Sequence, residues 1–158
     1  MSGSEYGTPG WRLSAPSVKG FLTVPGPNVG RALVSVVDDD ESVRESLPDL
    51  LRQCGFASEA FSSAEEFLGS DALSQTSCLL LDIAMPGMSG TEVQQELIRL
   101  GQTIPIVFIT ASGDRTLRPR LLARGAVECL FKPFSEAALV EAVRAALRRP
   151  QVGPDGAT

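Results

Sequence analysis

Between Arg31 and Arg149 one pattern recurs five times: a short apolar run, then a segment with apolar residues at helical spacing. Runs this short, each followed by a stretch long enough to recross a sheet, point to parallel strands joined by crossover helices. Strands are read at Ala32 to Val37, Ala57 to Phe61, Cys78 to Leu81, Ile106 to Thr110 and Glu128 to Phe131. The first helix, Ser42 to Cys54, carries Val43, Leu47, Leu50 and Leu51 on one face. Ser63 with Glu66 and Ser89 with Glu92 have Ser-x-x-Glu capping-box spacing, the second ahead of Val93, Leu97 and Leu100. Ser135 is placed to cap a last helix striped by Leu139, Val143 and Leu147. The expected fold is α/β, of (βα)5 type, around a parallel five-stranded sheet.

The ends of the chain lack this pattern. Residues 1–30 hold 6 Gly and 4 Pro among scattered hydrophobics, and Pro150, Gly153, Pro154 and Gly156 crowd the last residues. Such composition does not offset its ordering entropy by burial, so 1–30 is expected to be a flexible leader, 31–149 the folded domain and 150–158 a flexible tail. No apolar run reaches the roughly 18 residues of a membrane span, and no signal-peptide pattern opens the chain. Cys54, Cys78 and Cys129 have neither metal-ligand nor disulfide-framework spacing. They are expected to be reduced packing thiols in a soluble, cytoplasmic protein.

Two counts restrict the chemistry further. The chain has no histidine, which excludes Ser-His-Asp triads, HExxH zinc sites and a phosphohistidine of its own. Residues 1–114 carry 6 basic and 15 acidic side chains, whereas residues 115–158 carry 8 basic and 4 acidic. An acidic majority argues against direct nucleic-acid binding, which relies on clustered Lys and Arg.

In an open parallel sheet, ligands bind outside the carboxyl ends of the strands. There the sequence places Asp38, Asp39, Asp40 and Glu41 after strand 1, Asp82 after strand 3, Thr110 and Ala111 at strand 4, and Lys132 and Pro133 after strand 5. Asp40 and Glu41 are read as the usual acidic start of a helix. The remaining carboxylates would repel one another unless a cation lay between them, and an oxygen-only donor set with room for a phosphate suits Mg2+ better than Ca2+. A carboxylate beside Mg2+ and a lysine is suited to attack a phosphoryl donor, giving an aspartyl phosphate.

The segments VVDDDESVR, LLLDIAMPGMSG, IVFITAS and GAVECLFKPF, in this order and spacing, resemble the receiver domains of two-component response regulators. The wording FSSAEEFL and ITASGD is similar to receivers of the nitrogen-fixation transcriptional regulator type. The resemblance implies the CheY-like, flavodoxin-like doubly wound fold with strand order 2-1-3-4-5. It implies Asp82 as phosphoacceptor and Asp38 and Asp39 as the metal-binding acidic pair. Asp39 and Asp82 would ligate Mg2+ with the backbone carbonyl of Ala84, and Asp38 would act through water. Thr110 would bond the phosphoryl oxygens, Lys132 would pair with them, small Ala111 would leave room, and the Lys132–Pro133 bond would be cis. The implied role is a phosphorelay switch that is not an enzyme on outside substrates but catalyses its own aspartyl phosphorylation and dephosphorylation. Small Ala84 and Ser112 would admit water to the phosphate.

Two rivals remain. A haloacid-dehalogenase-like phosphatase would take Asp38 as nucleophile, but it needs an acidic pair after its lysine, where only Glu136 and Glu141 follow inside a helix, and it leaves Asp82 without a role. A phosphorylation-independent binding module would be marked by loss of an acid or the lysine, and none is lost.

The sequence departs from the family at the switch position three residues before the lysine, where Cys129 replaces the usual aromatic ring or histidine. Thr110 and Cys129 therefore form an unusual switch pair, and output is expected to rely on movement of the loop and helix 4. Pro119 is expected to shorten or kink helix 4 unless it lies in the first turn, and Pro48 to bend helix 1. Arg115, Arg118, Arg120 and Arg124 are read first as a solvated basic face, second as a surface for an acidic partner. The expected partners are a sensor histidine kinase or histidine phosphotransfer protein and an output protein at the surface of helix 4, strand 5 and helix 5, with a homodimer left open. Only nine residues follow Arg149, so the chain is read either as a stand-alone regulator or as a piece of a longer one.

Overall fold

The computed structural model describes residues 31–148, so the expected leader and tail lie outside the described residues. Five strands, β1 (Leu33–Val37), β2 (Ala57–Phe61), β3 (Thr76–Asp82), β4 (Ile106–Thr110) and β5 (Glu128–Phe131), alternate with helices α1 (Glu41–Gln53), α2 (Ala64–Leu68), α3 (Gly90–Arg99), α4 (Leu117–Ala123) and α5 (Glu136–Arg148). All pairings are parallel, in the order β2-β1-β3-β4-β5. β1 and β4 are buried at every position, the pattern of strands covered by helices on both faces.

The covering helices form two cores. On one face Val93 and Leu97 of α3 and Leu121 of α4 pack with Phe67 of α2, Leu81 and Phe108. On the other, Leu47 and Leu51 of α1 pack with Leu139 and Val143 of α5 over Val36, Leu80 and Ile109. Between β1 and β3 lies a buried neutral chain: Ser35 Oγ is 2.7 Å from Thr76 Oγ1, which donates to the Ala72 carbonyl at 2.7 Å.

Local chemistry accounts for most boundaries. Asp40 caps α1 by accepting from the Ser42 amide. Ser89 and Glu92 close both arms of a capping box at α3, and Ser135 Oγ accepts from the Ala138 amide at the start of α5. At α2 only half of the expected box forms. Ser63 accepts from the Glu66 amide, but the Glu66 carboxylate takes the Ser62 amide, one residue earlier than the pattern requires.

Two further differences concern β3 and the residues before it. β3 begins at Thr76 rather than Cys78, because Thr76 is buried through its partners instead of exposed by its polarity. A 3-10 turn over Asp71–Ser74, unread in the sequence, leads into it. α1 spans Glu41–Gln53 with Pro48 buried inside it, where the ring removes the N–H that would have met the Arg44 carbonyl. Pro119, by contrast, falls in the first turn of α4, where amides have no helical partner in any case.

Candidate functional site

The carboxyl ends of β1, β3, β4 and β5 bring Asp38, Asp82, Thr110 and Lys132 to one edge. Asp38 is fully buried, Asp82 is 6% exposed and Thr110 3%. Asp38 follows directly on β1 and is buried, whereas Asp39, one residue further into the loop, is exposed. Even so, Asp38, Asp39 and Asp82 each place a carboxylate oxygen within 4.8 Å of the others.

The lysine engages one acid directly. Lys132 Nζ donates to Asp38 Oδ2 at 2.9 Å, while Asp38 Oδ1 accepts from the Asp40 amide at 2.9 Å. Asp82 is less well served: among the described residues its one hydrogen bond is from the Ala84 amide to Oδ1, at 3.4 Å. Burial, then the neighbouring charge of Asp38, push the Asp82 carboxyl up to about 7, although Lys132 pulls the other way. Burial works against the Lys132 ammonium, but its hydrogen bond to Asp38 and the charges of Asp38, Asp82 and Asp40 outweigh it and raise the pKa.

This imbalance tests whether a cation fits. Three carboxylates face one ammonium, and the most crowded of them resists ionisation where no further positive charge is supplied. An all-oxygen set with surplus negative charge is what a small hard divalent ion requires.

The surrounding loops hold this edge in place. Thr110 Oγ1 accepts from the Ser112 amide at 3.0 Å, and Ala111 and Ala84 are exposed beside it. The Lys132 amide donates to the Thr110 carbonyl at 2.8 Å, and the Lys132–Pro133 bond is cis. Cys129 is buried under α4 at 3% exposure, and both burial and the Glu128 carboxylate raise its thiol pKa.

Two supports were not singled out in the sequence. Arg44, one turn into α1, sends Nη1 back to the Asp38 carbonyl at 3.0 Å. An arginine six residues after the acid was the available signal, since helical side chains lean toward the N-terminus. Gly90, the first residue of α3, is a close approach: a Cβ there would lie 2.9 Å from Ile83 Cα and 3.0 Å from the Asp82 carbonyl. Its amide donates to the Ile83 carbonyl at 2.8 Å, tying α3 to the end of β3.

Comparison with known proteins gives a consistent result. Residues 34–144 match the response regulator receiver domain. Over 119 residues the chain is 48% identical to Nodulation protein W of Bradyrhizobium diazoefficiens, covering 75% of this chain and 52% of that protein. The solved structure of response regulator StyR matches with TM-score 0.69 and 49% identity, over 75% of this chain and 60% of that one. The FixJ-N crystal structure matches with TM-score 0.68 and 35% identity, over 77% of this chain and 98% of that one. The chain spans about half the length of the curated relatives it matches.

Proposed function

This chain belongs to the response regulator receiver family, and on that premise we propose that Asp82 accepts a phosphoryl group from the phosphohistidine of a sensor kinase or histidine phosphotransfer protein. Receivers are signalling switches, and the homologous regulators are of the FixJ, TodT and NodW kind. The observation that carries the reading is the unbalanced edge: a buried, poorly solvated Asp82 beside Asp38, with a lysine and a threonine at the ends of the next two strands.

The transfer would proceed as an in-line displacement. An Asp82 carboxylate oxygen bonds to phosphorus as the P–N bond to the donor imidazole breaks, and the imidazole leaves with the electron pair. Asp38, Asp39 and Asp82 are the side chains that would hold Mg2+, with Ala84 contributing its backbone carbonyl. When bound, Mg2+ supplies positive charge to the phosphoryl oxygens. Lys132 moves its ammonium from Asp38 toward the new dianion, Thr110 donates its hydroxyl, and Ala111 leaves space beside it. Hydrolysis reverses the modification when water, admitted past Ala84 and Ser112, attacks phosphorus and returns Asp82 as a carboxylate. Both steps use groups of this chain, so the switch catalyses its own labelling and unlabelling in the cytoplasm. The modified chain then changes its affinity for an output partner at the α4, β5 and α5 surface.

Asp38 is a poor nucleophile, since its oxygens are already taken by Lys132 and the Asp40 amide. The intact mass after incubation with acetyl phosphate and Mg2+ decides the matter. Wild type gains one phosphoryl group and Asp82→Asn gains none. A label that survives in Asp82→Asn but vanishes in Asp38→Asn would favour the phosphatase instead.

A further inference from the structure

Asp38 is tied at both its backbone and its side chain. Its amide donates to the Phe61 carbonyl at 3.2 Å, its Oδ2 accepts from Lys132 Nζ and its Oδ1 from the Asp40 amide, each at 2.9 Å. Its carbonyl accepts from Arg44 Nη1 at 3.0 Å. That carbonyl belongs to the peptide joining Asp38 to Asp39, so this last bond sets the plane from which both acids depart. Asp39 has no supports of its own. It is exposed, and its carboxylate makes no hydrogen bond or ion pair among the described residues, yet an oxygen of it lies within 4.8 Å of those of Asp38 and Asp82.

Arg44 is itself well fixed. It is half-buried near the start of α1, its amide donates to the Asp40 carbonyl at 3.1 Å, and its side chain leans back over the loop, closing a ring over residues 38–44. Its charge also reaches Glu66 in α2: the Ser62 amide and hydroxyl, and more weakly Arg44, hold the Glu66 carboxyl below its ordinary value. A second cation beside a site for a divalent ion is electrostatically adverse, because it repels the ion. However, the bond of Arg44 goes to the peptide, whereas the Asp38 carboxylate is taken by Lys132, so what Arg44 supplies is geometry and not charge.

We propose that Arg44 is a positioning residue for the metal-binding acids, fixing the peptide between Asp38 and Asp39 and so holding the otherwise unsupported Asp39 carboxylate beside Asp82. This rests on the reading of Asp38, Asp39 and Asp82 as the side chains that take Mg2+. Partners that orient metal-binding groups without touching the ion commonly set affinity by an order of magnitude or more.

Titration of the chelator-treated full chain with MgCl2, followed by amide shifts in NMR spectra and without any phosphoryl donor, tests the assignment. Wild type should bind saturably, and Asp39→Asn should bind far more weakly. Arg44→Met should weaken binding by about tenfold, the low end for such a support because the lost positive charge acts in the other direction. Arg44→Lys keeps the charge but replaces the planar fork with a shorter donor, and should fall between the two. Urea unfolding in chelator separates this from a general loss of stability, which would lower the midpoint and leave the Mg2+ affinity of the folded variant unchanged. The signs of the two explanations differ: if Arg44 acts through charge, Arg44→Met binds Mg2+ more tightly and Arg44→Lys equals wild type. Either that pattern or wild-type affinity in both variants would overturn the role of Arg44 alone. Should Arg44→Met fail to fold, Arg44→Lys with wild-type affinity would still overturn it. No saturable binding by wild type, or undiminished binding by Asp39→Asn, would overturn the metal reading and the role of Arg44 together.

Discussion

β1 and β3 bury two polar clusters, and they are built on opposite principles. Ser35, Thr76 and the Ala72 carbonyl form a neutral chain in which every donor has an acceptor at 2.7 Å. Asp38, Asp82 and Lys132 form a charged cluster in which one acid is fully paired and the other has a single bond at 3.4 Å. The neutral cluster is closed and has no capacity for a ligand. The charged one has surplus negative charge and unused acceptor oxygens. The difference shows where this fold accepts instability: polar burial is satisfied inside the sheet and left open at the strand ends, around Asp82.

The largest stability change should come from breaking the single pairing of the open cluster. Lys132→Met leaves Asp38 buried and uncompensated, and should cost about 3 kcal/mol, at the low end for a buried pair because the lysine is partly exposed. Urea unfolding measures it, and a cost below that of Thr76→Val would erase the contrast between the clusters. Asp82→Asn should act in the opposite direction. The Asp82 carboxyl is raised from 3.8 to about 7 in the fold, so its ionised form opposes folding. The variant's gain is absent below pH 3.8, grows as pH rises toward 7, and reaches about 1–3 kcal/mol above it in chelator-treated protein. Equal stability of the two proteins at pH 5 and pH 8 would mean that the cluster is not strained.

The closed cluster should respond in a different way. Thr76→Val strands the Ser35 hydroxyl and should cost about 1–3 kcal/mol, whereas adding Ser35→Ala should recover most of the loss, since removing both partners removes the unsatisfied donor. A double-mutant cycle with no coupling would show that water already serves these groups. The smallest effect belongs to the exposed Arg118 and Glu128 pair, about 1 kcal/mol or less. The Arg118 hydrogen bond holds the Glu128 carboxyl below its ordinary 4.5, so this contribution is complete above that value and disappears as pH falls through the lowered one. Titration of Glu128 at its ordinary value by NMR would remove the pair from the stability account.

The sequence carried the strands well because β1 and β4 are buried on both faces and read as unbroken apolar runs. It carried the start of α3 because its capping box is local. What it hid depended on partners far along the chain. Thr76 is a strand residue only because Ser35, 41 positions earlier, meets it, and Asp71–Ser74 has no periodicity to announce a turn. The strand-end acids could be gathered from spacing, but their inequality could not: the burial of Asp38 and exposure of Asp39 depend on how the loop after β1 leaves the sheet. The contacts of Arg115 and Arg118 with β5 were likewise unreadable, since four arginines at mixed helical angles specify no face without the strand they touch.

The sheet also separates its two hydrophobic cores, with α1 and α5 on one side and α2, α3 and α4 on the other. Side chains such as Leu47 and Val93 share no neighbours, so substitutions at the two positions should add without coupling. The packing around α1 can therefore change while that around α4 is kept. A chain built this way can be altered on one face of its sheet at a time.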